Sequence, residues 1–113
     1  MKDIPAEVVA KWPQKVKDDW NKEDVIPEEA SVKEDLKGEY QFMKSMIANG
    51  KKAEALGRFP AFMVLAWVLD QDKYVDALKR HLAKARKKGA TEESANSELK
   101  KMMKVAEYVV YRI

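Results

Sequence analysis

The side chains that could do chemistry in this chain are few, and the first of them is His81, the single histidine. An imidazole titrates near neutral pH, so a histidine at the edge of a helix can serve as an acid or a base. A lone histidine is more often a structural or surface residue. Its sequence neighbours give it little help: the chain has no cysteine, so thiol nucleophiles, disulfides and thiolate metal ligands are all excluded. No carboxylate stands three or four residues from His81, and Asp76, five residues back, points elsewhere on the same helix. A metal site built from sequence-adjacent ligands is therefore not expected. A Gly-rich phosphate loop, a nucleophile elbow and a pair of catalytic carboxylates are missing as well, and no cofactor is implied.

The second group is basic. Lys79, Arg80, Lys84, Arg86, Lys87 and Lys88 lie within ten residues. Lys100, Lys101 and Lys104 would stand beside them if the last helix packs antiparallel to the one carrying His81. Such a patch can hold a phosphate backbone, with an affinity that falls steeply in salt. The plainer alternative is a solvated helix face whose cations complement the helix dipole at its C-terminal end. Net charge is +3, unevenly spread. Residues 1–39 carry 7 basic and 11 acidic groups, a net of −4, whereas residues 40–113 carry 15 and 8, a net of +7. This polarity suits self-association or contact with an acidic partner.

The elements that must position these residues are helices arranged around one greasy stretch. Phe59 to Leu69 is the longest run free of charge, and at eleven residues it falls short of the roughly 20 needed to cross a bilayer. Pro60 suits a first helical turn and is foreign to a central strand. The run therefore predicts a buried helix from Pro60 to about Asp70, with Lys51 to Gly57 as a separate short piece closed by Gly57. A helix with no polar face has to be wrapped by others.

The wrappers are legible. Pro27 opens a long helix on which Val32, Leu36, Tyr40, Met43 and Ile47 recur at spacings of four and three. Gly38 interrupts it and is expected to allow a close helix crossing, and Asn49-Gly50 is a stop signal. Asp70-Gln71-Asp72 reads as a break in which either acid can cap the next helix. That helix runs from Asp72 to about Lys88, with Val75, Leu78, Leu82 and Ala85 inside and Gly89 as its cap residue. Thr91 caps the last helix, whose seam of Ala95, Leu99, Met102, Ala106, Val109 and Ile113 continues to the final residue. Upstream, Pro5 to Trp12 forms a short helix, and Pro13 to Trp20 places Val16 beside Trp20, with the two tryptophans tying the leader to the core. The methionines on these stripes, Met43, Met46, Met63, Met102 and Met103, are expected to be mostly core.

One segment carries a resemblance. His81-Leu-Ala-Lys-Ala85-Arg-Lys-Lys-Gly89-Ala90-Thr91, following an apolar helix and preceding another helix, resembles a segment of the carboxymuconolactone decarboxylase and alkylhydroperoxidase D superfamily, across about residues 60–110. The resemblance implies an all-helical oligomer. The peroxidase branch places two cysteines seven and four residues before the histidine, where this chain has Tyr74 and Ala77. The family's acidic residue on the preceding helix falls near Phe62. What the resemblance leaves open is a decarboxylase-like acid–base role resting on His81 alone.

Together these readings predict an all-α bundle of four main helices with a short helical N-terminal leader. It is one domain over residues 1–113, with 1–26 as leader and 27–113 as bundle core. The near absence of chemistry-bearing clusters, set beside the charge asymmetry, predicts a non-enzymatic binding or assembly protein. Its expected partners are a second copy of itself, another protein or a nucleic acid, and not a membrane. No apolar signal core follows Met1, so a cytoplasmic location is expected.

Overall fold

The computed structural model describes residues 1–12, 14, 17–18 and 29–113. Within them the chain forms a short helix α1 (Ala6–Val9) and four long ones: α2 (Glu29–Ala48), α3 (Lys52–Val68), α4 (Asp72–Ala85) and α5 (Glu92–Arg112). No strand occurs among the described residues, so the fold is the expected all-α bundle. The pairing of Val16 with Trp20 and the start at Pro27 lie outside the described residues. Of the leader's anchors, Trp12 is half-buried. Ile4 and Val8 pack on the core.

The bundle is two helical hairpins laid together. Helices α2 and α3 pair extensively across the Asn49–Lys51 turn, and α4 and α5 across residues 86–91, with α3 against α4 and α2 against α5. Gly50 sits at φ +77, the left-handed conformation that a helix stop requires. Thr91 caps α5 as expected, accepting a hydrogen bond on Oγ1 from the Ser94 N–H at 3.0 Å.

Helix α3 lies at the centre. Phe59 and Phe62 are fully buried, with ring centroids 6.2 Å apart and planes at 64°, an edge-on contact that aromatic quadrupoles favour. Around them close Leu36 and Met43 from α2, Val75 and Leu78 from α4, and Met102, Ala106 and Val109 from α5. Met46 and Met103 are only partly buried, because they lie at the flanks of their stripes.

Several local expectations are corrected. Lys52 to Val68 is one unbroken helix with Pro60 inside it, not a short piece closed by Gly57 and a new helix begun at Pro60. An interior proline costs about 3 kcal/mol or more, and burial of a large apolar side chain returns about 1.5–3 kcal/mol each. Phe59, Phe62, Met63 and Leu65 all sit in the core cluster, so tertiary burial outweighs the local breaker. Trp67 is the run's exposed member. Gly38 does not mark a close crossing: a Cβ built there meets nothing within 4 Å, since the position lies on the outer face of α2.

The α3–α4 connection also differs. Neither acid caps α4, whose N-cap residue is Gln71 with no side-chain cap bond. Asp70 instead adopts φ +62, and both acids take the Lys2 ammonium, whose Nζ lies 3.0 Å from Asp70 Oδ1 and 2.9 Å from Asp72 Oδ2. The same Nζ donates to the Trp67 carbonyl at 3.0 Å and sits over the Trp67 ring. One lysine thus straps the leader across the C-terminal end of α3, where exposed carbonyls favour a cation. Helix α4 ends at Ala85 rather than near Lys88, with Arg86 at its C-cap. The cationic run 86–88 passes into turns before Gly89, at φ +86, redirects the chain. On the other hairpin, Arg58 Nε donates to Glu39 Oε2 at 3.2 Å, and its guanidinium lies 5.1 Å over the Phe42 ring, clipping α3 to α2.

Candidate nucleic-acid interface

The side chains of interest gather along one seam, where a flank of α4 meets a flank of α5. Tyr74, Ala77, His81 and Lys84 follow one another at three and four residues on α4; Glu98, Lys101, Val105, Tyr108 and Arg112 do so on α5. Residues at these spacings share a helix face. The antiparallel hairpin sets the two rows side by side.

At one end of the seam His81 Nδ1 lies 2.6 Å from Glu98 Oε2, with side chains 24% and 13% exposed. An ionised carboxylate only accepts hydrogen bonds, so beside it Nδ1 carries the hydrogen and Nε2 is left with its lone pair in the neutral ring. Nε2 has no hydrogen-bond partner among the described residues. The His81 hydrogen bond is the main cause that holds the Glu98 carboxyl below the ordinary glutamate range, aided by the Lys101 and Lys84 charges and opposed by partial burial. Lys101 Nζ stands 3.7 Å from Glu98 Oε1.

Nearly three turns along α5 from Glu98 the seam becomes aromatic. The Tyr74 and Tyr108 rings lie 5.2 Å apart at 48°, and the Arg112 guanidinium lies 5.6 Å over the Tyr74 ring. The Tyr74 hydroxyl, then Arg112, hold the Tyr108 phenol below its ordinary value, with a further contribution from the Lys73 charge. The same contact between hydroxyls raises Tyr74. Tyr108 is 54% exposed.

A separate groove of about 610 Å³ opens between α2 and α5, on the opposite side of α5 from Glu98. Tyr40, Ile47, Leu99 and Met103 give it an apolar floor, and Lys44, Lys52 and Lys100 stand among its lining residues. Burial, then the nearby Glu107 charge, raise the Tyr40 phenol above its usual value.

The nine lysines and arginines singled out from sequence are all exposed, but they do not form one patch. Lys84 and Lys101 meet around Glu98. Lys100 faces the groove instead, because one residue on a helix is a 100° turn. By helical register Lys79 and Arg86 lie on the flank of α4 away from His81. Arg80 and Lys104 border the seam, and Lys87 and Lys88 occupy the turn. The carboxylate beside His81 comes from the same chain. Sequence reasoning passed over Glu98, Lys73, Tyr74, Tyr108 and Arg112. A hairpin folded about Gly89–Ala90 puts position 81 opposite position 98, so the pairing was available from the register.

Among the described residues no three His, Asp or Glu side chains are grouped to hold a metal, and no helix is long and apolar enough to cross a membrane. No protein-family model matches the chain, and neither a curated protein nor a solved structure is similar to it.

Proposed function

We propose that this is a non-enzymatic binding protein that docks onto a nucleic acid or ribonucleoprotein surface through the α4–α5 seam. One observation carries the reading. The seam collects Lys84 and Lys101 around a carboxylate already occupied by His81, and Lys73 and Arg112 around Tyr108. Lys73, Lys84, Lys101 and Arg112 outnumber Glu98, the one acid among these seam residues, four to one. Phosphate chains bind such faces by releasing condensed counterions. The test is electrophoretic retardation of a labelled RNA at low salt by the protein and by the Lys84→Glu/Lys101→Glu double variant. Retardation that the variant loses supports the reading; an unretarded RNA at low salt removes it.

Self-association is compatible with the same molecule through the α2–α5 groove, where Ile47 and Met103 are partly exposed. Light scattering of the protein against a Met103→Glu variant distinguishes the two modes, since that change leaves the seam untouched.

A second reading follows the resemblance at His81. A carboxylate that fixes the tautomer of a histidine is the arrangement a general base uses. It favours a decarboxylase-like acid–base role with Nε2 as the reacting atom. That role needs a substrate cavity over Nε2, and the groove is on the far side of α5. Turnover of a carboxylated lactone, abolished by His81→Gln, would establish it in place of the binding reading.

A further inference from the structure

The aromatic end of the seam goes beyond what holding phosphates requires. A polyanion needs cations only, and rings exposed to water serve it nothing. Yet Tyr108 is 54% exposed, whereas Tyr111, four residues from Glu107, lies toward the groove side of α5. Tyr108 leans on Tyr74 at 5.2 Å, and Arg112 lies over Tyr74 at 5.6 Å, so the ring pair is braced from behind and its orientation is held. On the C-terminal side of Glu98, α5 carries one carboxylate, Glu107, and it lines the groove. Tyr108 and Lys101 are seven residues apart, about 10 Å along the helix, a reach that a single strand covers in a few nucleotides.

We propose that this platform makes the seam a site for single-stranded nucleic acid, with an unpaired base stacking on Tyr108 while the adjoining phosphates lie against Lys101, Lys84 and Arg112. Bases present a flat face to an aromatic ring only when unpaired, and each such stack is sequence-tolerant. A duplex hides those faces and offers the tyrosines only its backbone. The proposal deepens the docking reading above and rests on it.

The experiment is fluorescence anisotropy at low salt with three labelled ligands of equal length: an oligouridylate, an abasic strand with the same phosphates, and an RNA duplex. The oligouridylate is expected to bind about tenfold more tightly than the abasic strand, the gain that one stacked base supplies. Tyr108→Leu should erase that ratio and Tyr108→Phe should keep it; Tyr74→Leu, which removes the ring that Tyr108 leans on, serves as an independent variant should the first disturb the helix. Equal affinity for the oligouridylate and the abasic strand, or tighter binding of the duplex, overturns the single-strand proposal while leaving polyanion docking in place. No binding of any of the three overturns both.

Discussion

Glu98 and His81 are seventeen residues apart in sequence, and Oε2 of the one lies 2.6 Å from Nδ1 of the other across the α4–α5 seam. The contact does two things at once. It ties the hairpin together along its flank, and it fixes the position of the Glu98 carboxylate beside Lys84 and Lys101.

The first prediction concerns acid stability. The Glu98 carboxyl is held below its ordinary value in the folded chain, chiefly by the His81 hydrogen bond. Its contribution is therefore fully present above the unfolded-state value of about 4.3 and is lost as the pH falls through the lower folded value. Urea melts between neutral pH and the carboxylate range should show the native protein losing more stability on acidification than Glu98→Gln. Identical pH slopes for the two would show that the pair contributes nothing to folding.

Gly38 offers a stabilising change. A methyl at this position meets no atom within 4 Å and would sit in regular helix. Gly38→Ala should raise stability by about 0.5–1 kcal/mol through restricted unfolded chain and better helix propensity. A lowered thermal midpoint would mean that the outer face of α2 is covered by something in the assembled protein.

Phe62 tests the central position of α3. It is fully buried beside Phe59, and truncation to Ala removes apolar area and leaves a cavity. Phe62→Ala should cost about 3–5 kcal/mol in denaturant unfolding. A cost below 1 kcal/mol would place the core elsewhere.

The salt dependence of binding is the fourth prediction. If Lys73, Lys84, Lys101 and Arg112 each neutralise one phosphate of a single strand, log affinity should fall with log salt at a slope of about −3. The Lys84→Glu/Lys101→Glu variant should show a slope shallower by at least about 1. A slope unchanged by that substitution would move the contact to another face, with Lys79, Arg86 and Lys87 the next to examine.

The helical stripes were open to reading because burial repeats with the helix period. Val32, Leu36, Tyr40 and Met43 on α2, and Leu99, Met102, Ala106 and Val109 on α5, are buried where their spacing places them. The Thr91 cap and the left-handed Gly50 were equally legible, each being decided by residues within one turn of itself. Pro60 and Gly57 misled because the local signal for a break is weaker than the burial of Phe59 and Phe62, which depends on three other helices.

Fold class, core faces and hairpin turns thus came from the amino-acid sequence alone, since periodicity and capping are local properties of the backbone. Only the tertiary structure decided that Lys2 straps Asp70 and Asp72, that Glu98 meets His81, and that Lys100 and Lys101 part to opposite sides of α5. These are matters of which helix lies beside which and at what rotation, and a rotation of one residue moves a charge by 100° around the axis.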